Sequence, residues 1–460
     1  MSYPISQKRL SRRTFLAATG AASAALLAAC AASPGAAPAE SGAGEAAPSG
    51  EAVQVRAHMV QKQDVSDWIQ MGLDQDIDGF VSGNPDIEVV LETIPGWTPE
   101  YFPKILSFAA AGTLGDVVWF PPRHRSHISW GTQYDIVTDL NPLAEAAGYD
   151  MAENFYQGAI TANSSDGKTY WMSYISEPIV PVIAYNKTKV EEMGIGSPSD
   201  DWTFAELSEW AQAGTTEDTF GYVRADGGRD FFSGGPYFRQ YGVTAVNEDG
   251  TQVTMMDTPD EFVAALQFRY DLINTWDVSP SPSGGDLNAP ELYGAQKVLA
   301  VDIWPFRIQI YPASFTDFEH DFVLTPVVNA GDTRRSMLNE HVFGITTASQ
   351  ATDAAFKFLT WIGGKEMNVQ GLIQGQKGPI ARADVWADDR VFEVIPTYEK
   401  LRPIMETIEP DFVVGNYRGD EFDQAFQQAY DQMELGEIEP AAAADQSVEL
   451  CQAVLDTEPA

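Results

Sequence analysis

The residue types that most often carry out catalysis or bind metal ions are rare in this sequence. His124 and His127 have the i, i+3 spacing of a metal-binding pair, but the chain has five histidines in all and no third ligand lies close in sequence. Residues 363–365, Gly-Gly-Lys, lack the spacing and the Ser or Thr of a phosphate-binding loop. Cys451 has no obvious partner in the sequence. We therefore predict no catalytic residues, no metal site and no cofactor.

Carboxylates are the exception, because the chain has 66 Asp and Glu residues. A glycoside hydrolase needs only one suitably placed pair of carboxyl groups, and counting cannot identify such a pair. We expect that the protein is not an enzyme, but an exported carbohydrate-active hydrolase stays open as the alternative. Turnover of a substrate would distinguish the two.

Aromatic side chains are plentiful, with 11 Trp, 17 Tyr and 24 Phe. A sugar presents apolar ring faces and polar edges, so a sugar site needs aromatic surfaces together with a few hydrogen-bonding groups. The composition permits such a site without locating it. Locating it requires the position of each aromatic residue relative to the strands and helices.

An alternation of short apolar runs and amphipathic segments predicts an α/β architecture to hold these side chains. Residues 53–59 and 87–94 are predicted strands. A helix with its apolar stripe from Phe102 to Ala109 follows, with Gly112 as its C-terminal cap. It leads into a buried-type strand over residues 116–120.

Two later helices carry start signals. Thr203 and Glu206 have the spacing of a capping box. Thr258 and Glu261 have the same spacing, with Pro259 at the first helical position. We expect both threonines to cap their helices.

The run of residues 101–120, YFPKILSFAAAGTLGDVVWF, resembles the helix-turn-strand of family 1 extracellular solute-binding proteins, the maltose-binding-like partners of ABC importers. The resemblance covers residues 53–389. Asn339-Glu340-His341 stands where the family often has glycines, which bears on the ligand more than on the fold. Further matches follow in the family's order at residues 139–143 (DLNPL), 166–170 (DGKTY), 184–187 (AYNK), 201–207 (DWTFAEL), 343–346 (FGIT) and 354–359 (AAFKFL).

The resemblance implies a two-lobed periplasmic-binding-protein-like fold (type II), with the ligand cleft between lobes joined by hinge crossovers. Lobe 1 would comprise residues 53–176 and 343–379, and lobe 2 residues 177–342 and 380–460. Such a protein captures a mono- or oligosaccharide by hinge closure and delivers it to the permease subunits of an ABC importer, as a monomer. The implied crossovers lie at Ser176-Glu177, Val342-Phe343 and Pro379-Ile380.

The resemblance also implies where the ligand would bind. Trp304, within Asp-Ile-Trp-Pro-Phe, matches a position whose ring stacks on the ligand. The other aromatic candidates are Trp97 after the second strand, Phe120 at the end of the third, and Phe232. Each aromatic residue could instead pack in a core, and each polar one could serve a structural ion pair. The polar candidates are Gln63, Asp64, Glu177, Arg307, His341 and Tyr417.

Other ligands stay open: a polyol, a polyol phosphate or a polyamine. A phosphate would require clustered basic residues in the cleft. A polyamine would require carboxylates flanked by aromatic rings, which Glu177 and Glu340 allow. A sensor or adhesin role also stays open.

The N-terminal residues read as an export signal. In residues 1–29, basic residues precede an apolar stretch, and the motif around Arg12-Arg13 resembles a twin-arginine (Tat-type) signal. Leu-Ala-Ala before Cys30 resembles a lipobox, so we expect Cys30 to be acylated and residues 30–52 to form a flexible tether. The protein would then be lipid-anchored at the outer face of the cytoplasmic membrane.

The charge balance excludes one class of partner. With 28 Lys and Arg against 66 acidic residues, the formal net charge is −38. Such a chain repels the phosphates that supply most of the affinity for nucleic acids. We therefore expect no nucleic-acid partner.

Overall fold

The alternation of apolar runs and amphipathic segments produces the mixed α/β arrangement that the sequence predicts. The computed structural model describes residues 52–61, 66–95, 98–120, 125–179, 181–224, 231–282 and 288–459. The predicted signal, Cys30, most of the tether, and Gln63, Asp64 and Trp97 lie outside these residues, as does the side chain of Phe232.

The strands, in chain order, are β1 (Val53–Gln61), β2 (Ile87–Pro95), β3 (Val117–Phe120), β4 (Ser164–Ser165), β5 (Lys168–Thr169), β6 (Met172–Pro178), β7 (Val182–Asn186), β8 (Phe220–Val223), β9 (Val298–Ile303), β10 (His320–Leu324), β11 (Met337–Ile345) and β12 (Glu409–Pro410). The two predicted N-terminal strands are confirmed to within two residues at each end.

The α-helices are α1 (Ser66–Gly83), α2 (Thr98–Ala111), α3 (Ser126–Gln133), α4 (Asn141–Ala147), α5 (Met151–Asn154), α6 (Gln157–Ala162), α7 (Lys187–Met193), α8 (Phe204–Gly214), α9 (Phe231–Gln240), α10 (Pro259–Tyr270), α11 (Ala289–Gly294), α12 (Arg307–Ser314), α13 (Thr352–Ile362), α14 (Lys365–Ile373), α15 (Asp389–Val394), α16 (Thr397–Glu406), α17 (Gly419–Glu434) and α18 (Pro440–Leu455). A 3-10 turn (Met255–Asp257) precedes α10, and a π-helical turn (Asp271–Thr275) follows it.

Two larger sheets organise the chain. In the first, the order is β12-β11-β3-β1-β2, with β6 also paired to β11. In the second, the order is β10-β7-β9-β8. Strands β1, β2 and β3 run parallel, and so do β8 and β9, so the carboxyl ends of each set share one edge of their sheet. In α/β folds that edge is where ligands usually bind.

The chain passes between the two sheets where β6 leads into β7, and again where β10 leads into β11. Strands β6 and β11 pair antiparallel. The backbone N–H of Ser176 donates to the carbonyl of Pro379 at 2.8 Å, so a third segment lies against this strand pair. Val342 and Phe343 lie within the first sheet, paired with β3 and with the start of β6.

The local sequence signals have mixed outcomes. Thr203 and Glu206 form the predicted capping box at α8. Helix α10 begins where the sequence predicts, with Pro259 at its first position, but Thr258 makes no side-chain cap, so that part of the prediction was wrong. The 3-10 turn immediately before Thr258 leaves it at φ −125° and ψ 71°, outside the extended conformation that an N-cap residue needs.

The matched segment at residues 166–170 contains the turn of a hairpin that joins β4 to β5. Asp166 and Gly167 both have positive φ, 51° and 74°. Positive φ at both central residues is the requirement of a type I′ turn, which Asp-Gly satisfies.

Candidate ligand-binding site

The paired strands β6 and β11 bring buried polar residues to the point where the chain changes sheet. Their register sets Glu177 opposite Asn339 and Ser176 opposite Glu340. Since successive side chains of a strand point to opposite faces, Glu177 and Glu340 lie on opposite faces of this strand pair. Glu177 is 1% exposed and Glu340 2%.

Glu177 faces the start of α12, which follows the second sheet. Its Oε2 accepts a hydrogen bond from the backbone N–H of Phe306 at 3.2 Å. Burial raises the pKa of Glu177 to about 8, against the smaller opposing effects of the Phe306 N–H, the Asn339 side chain and the charge of Arg307. At neutral pH this carboxyl group is therefore mostly protonated, and it can donate as well as accept a hydrogen bond.

Trp304 lies in the turn that joins β9 to α12. Its carbonyl accepts from the backbone N–H of Arg307 at 2.9 Å, which closes the turn. The next carbonyl, of Pro305, accepts from the hydroxyl of Tyr398 at 3.3 Å. These bonds hold the turn in place, so the structure brings Trp304, Arg307 and Glu177 together.

His341 follows on β11, two residues after Asn339. Its ring stacks on Trp119, with ring centroids 5.7 Å apart and planes inclined by 28°. Burial lowers the pKa of His341 to about 3, so the imidazole is neutral at physiological pH. Among the described residues its Nδ1 has no hydrogen-bond partner.

Glu340 belongs to the other face of the strand pair. Its Oε2 accepts from the hydroxyl of Ser176 at 2.8 Å. Burial raises its pKa to about 8, opposed by hydrogen bonds from Ser176, Ser173 and Asn163. Glu340 therefore lies among polar residues of the first sheet and α6, away from Phe306.

Phe120 packs among other aromatic rings of the first sheet. It is 3% exposed and stacks on Phe102 with centroids 4.4 Å apart. Trp171 meets it edge-on at 5.4 Å. As the alternation along a strand predicts, Trp119 turns the other way and meets His341.

Tyr417 lies in the loop before α17, with φ of 65°. The neighbouring Asn416 donates to the carbonyl of Val454 at 2.6 Å, and Gly415 donates to the carbonyl of Gly250 at 3.0 Å. These bonds attach the loop to the C-terminal helix and to the turn at Gly250.

His124 and His127 are the pair considered from the sequence as metal ligands. His124 lies outside the described residues. His127 is 2% exposed and its Nε2 donates to the carbonyl of Ala162, 3.0 Å away. Over the described part of the chain, no cluster of three or more His, Cys, Asp or Glu side chains has the arrangement of a metal site. Within the same residues, no helix has the length and apolar character to cross a membrane.

Sequence reasoning missed the buried arginine at the carboxyl end of β8. Arg224 is 4% exposed and its Nε lies 3.5 Å from Oδ2 of Asp302 on the adjacent strand β9. Its position was the available signal, because it is a basic residue directly after a short strand in an acidic chain. That edge of the sheet is where α/β proteins place ligand contacts.

Comparison with known proteins places this arrangement in a family. Residues 75–393 match the family described as bacterial extracellular solute-binding protein. None of the curated protein sequences matches the chain.

Several solved structures share the fold. The ABC substrate-binding protein Lmo0181 from Listeria monocytogenes, in complex with cycloalternan, has a TM-score of 0.72 and 20% identity, covering 88% of this chain and all of its own. Maltose-bound MalE3 of T. maritima has a TM-score of 0.70 and 20% identity, with the same coverage. The maltose/maltodextrin-binding domain MalE from Bdellovibrio bacteriovorus, bound to maltotriose, has a TM-score of 0.68 and 19% identity. The match again covers 88% of this chain and 100% of that chain. The two-lobed α/β fold is therefore confirmed.

Proposed function

This chain belongs to the family of bacterial extracellular solute-binding proteins, and from that premise we propose that it is the carbohydrate-binding component of an ABC importer. The family acts outside the cytoplasm and binds small solutes. The carbohydrate ligand, the permease partner, the monomeric state and the lipid anchor on Cys30 are the parts that we propose. The solved relatives that hold cycloalternan, maltose and maltotriose support the choice of ligand.

The observation that carries the proposal is the group formed by Trp304, Glu177 and Arg307. An indole ring supplies an apolar surface for a sugar ring, and the buried carboxyl of Glu177, which the charge of Arg307 influences, supplies a donor and an acceptor for hydroxyl groups. Few polar groups in a mostly apolar setting are typical of small-molecule sites. The group also joins the two sheets, since Glu177 comes from β6 and Trp304 follows β9.

The hinge would consist of the segments that pass between the sheets. We propose the lobe boundaries that the resemblance implies, residues 53–176 with 343–379 and residues 177–342 with 380–460. Ser176, held to Pro379, then lies at the hinge. Ligand that contacts both lobes binds the closed form more tightly, and this difference in affinity drives closure.

The geometry of the two buried glutamates supports binding over hydrolysis. Glycosidases need two carboxyl groups on either side of one glycosidic bond. Glu177 and Glu340 point to opposite faces of the same strand pair and do not flank a common site. We propose that neither is a catalytic residue.

A thermal-shift screen of the full chain against sugars, polyols, polyol phosphates and polyamines tests the proposal. A ligand that binds only the folded state raises the midpoint as its concentration exceeds the dissociation constant. We expect a rise with one family of saccharides and no new product by chromatography. Product formation would favour the hydrolase, and a rise with a polyamine alone would overturn the carbohydrate ligand.

A further inference from the structure

A narrow cavity lies on the second sheet, close to where both crossing segments enter it. Ile179 and Pro181 after β6, and Thr325 and Ser336 before β11, form one side of it. Its free space is about 20 Å³, which is room for one water-sized group and not for a sugar ring. The side chains that give it its chemistry are Tyr222, Arg224, Tyr237, Asp302, Arg334 and Arg335.

Arg224 is the innermost of these basic residues. Its guanidinium lies 4.5 Å above the ring of Tyr237, and its Nε faces Asp302 at 3.5 Å. The guanidinium also interacts with the hydroxyl of Tyr430, but its Nη1 is buried and makes no well-formed hydrogen bond among the described residues. A buried charged donor without an acceptor is costly, so this atom is suited to an acceptor brought by a ligand.

Asp302 does not accept a hydrogen bond from that donor. One of its oxygens faces Arg224 and the other accepts the hydroxyl of Tyr222 at 2.7 Å. In the next buried ion pair, Arg269 with Glu434 at 2.5 Å, the positive and negative charges compensate each other. The ionic groups behind the cavity therefore leave Nη1 of Arg224 unsatisfied.

Arg334 provides a second donor. Its Nε donates to the carbonyl of Thr325 at 2.8 Å, which fixes the guanidinium. Its Nη2 is buried, again with no hydrogen-bond partner among the described residues. Asp200 and Asp201 act on Arg334 electrostatically but do not line the cavity.

The cavity is positive within an acidic protein. Its lining has three arginines, Arg224, Arg334 and Arg335, and one carboxylate, Asp302. The whole chain has a formal charge of −38, so this excess of guanidinium groups runs against the overall composition. The planar fork of a guanidinium matches two oxygens of a carboxylate or a phosphate.

We propose that this cavity receives one oxygen of an oxyanion group carried by the solute, so that the protein takes an acidic saccharide. The inference rests on the proposed function, since it assigns the saccharide a carboxylate or a phosphate. Asp302, which lines the cavity, is near the end of β9, and Trp304 follows two residues later in the turn. We therefore assign the charged substituent of a saccharide beside Trp304 to the cavity.

The test is calorimetric titration of the full chain with paired saccharides. Glucuronate, galacturonate and glucose 6-phosphate are each compared with the neutral parent sugar, and inorganic phosphate is titrated alone. We expect at least one acidic sugar to bind about tenfold or more tighter than its parent, as a charged hydrogen bond would give. R334Q should remove that difference in affinity and leave the affinity for the neutral sugar unchanged.

Arg402, an exposed arginine of α16 outside the cavity, provides the matched control, and R402Q should behave as wild type. R224K tests the inner position, because lysine keeps the charge opposite Asp302 but loses the guanidinium fork. It should also weaken the acidic sugar selectively.

The outcomes separate this inference from the proposed function. Neutral sugars that bind as well as acidic ones, with R334Q unaffected, would keep the carbohydrate function and overturn the oxyanion site. Phosphate binding that R334Q abolishes, without binding of any saccharide, would keep the oxyanion site and overturn the saccharide. If no saccharide binds, and R334Q has the same affinity for phosphate as wild type, both the oxyanion site and the carbohydrate function would be overturned.

Discussion

The carboxyl group of Glu177 accepts a hydrogen bond from the backbone N–H of Phe306, although 129 residues separate them in the chain. Glu177 belongs to a strand of the first sheet, and Phe306 precedes the helix that follows the second. The bond therefore connects the proposed hinge directly to the turn that carries Trp304. A ligand on that turn would act on the hinge through a contact of two residues.

Trp304 should be the main stacking surface for the ligand. W304A is expected to weaken binding of the saccharide identified by thermal shift by about 1–3 kcal/mol, with folding intact. W304F should restore part of the affinity. Trp210, which donates to the carbonyl of Gly196, provides the control. W210A should lower thermal stability without changing the dissociation constant. Unchanged affinity of W304A would remove Trp304 from the site.

The protonated state of Glu177 should make stability fall as pH rises. Its pKa is about 8 in the folded protein, against 4.5 ordinarily. Between these values the folded state holds a proton that the unfolded state releases, so the contribution is complete below pH 4.5 and is lost by about pH 8. The slope is at most about 1.4 kcal/mol per pH unit.

Urea unfolding at pH 5 and pH 8 measures this effect. E177Q should lose less stability than wild type between the two values, because glutamine does not titrate. E209Q, at an exposed position of α8, should behave as wild type. Equal losses in E177Q and wild type would show that Glu177 is already ionised in the folded protein.

His341 should have the opposite dependence. Its pKa falls from 6.5 to about 3 on burial, so the unfolded state binds a proton that the folded state does not. The stability that depends on neutral His341 is present above pH 6.5 and decreases as pH falls towards 3. In acid unfolding followed by circular dichroism, H341Q should show a shallower decrease than wild type over this range. Parallel decreases would contradict the buried neutral state.

The buried ion pair of Lys377 with Asp76 should be a strong determinant of stability. Their side chains are 1% and 4% exposed and lie 3.0 Å apart, and the ammonium also lies 4.2 Å from the ring centre of Tyr174. K377M leaves Asp76 buried without its partner, which should cost about 3–5 kcal/mol in the free energy of unfolding. Combining K377M with D76L should recover most of that loss in urea titrations. A double variant as unstable as K377M would show that packing, rather than charge, is responsible.

Cys30 should anchor the protein to the membrane. C30A is expected to move the exported protein from the membrane fraction to the soluble fraction, because the acyl chains would be absent. C451A, at the buried cysteine of α18, should leave the distribution unchanged. Retention of C30A in the membrane fraction would exclude this anchor.

Local patterns predicted most of the framework because they depend on neighbours in the chain. The strands at Val53–Gln61 and Ile87–Pro95 follow from runs of apolar residues, and the capping box of Thr203 and Glu206 follows from their spacing. Thr258 shows the limit of such reasoning. The same spacing fails there because a 3-10 turn just before it sets its backbone.

The site was less accessible to sequence reasoning. Trp304 and Glu177 were predicted from a resemblance to cleft positions, and the structure shows that they share one junction. Arg224 was not predicted, although its position directly after a strand was a signal. The sequence does not show that a carboxylate from another strand faces it. Phe120 had the strand position of a ligand contact, but its ring packs against Phe102 and Trp171.

The sequence by itself determined the α/β alternation and the likeness to solute-binding proteins, since each depends on residue type and short spacing. Only the tertiary structure decided which side chains meet: Glu177 with Phe306, Arg224 with Asp302, His341 with Trp119. The physical reason is that burial sets both the packing and the protonation of these groups. Burial arises from contacts between strands far apart in the chain, which no local pattern encodes.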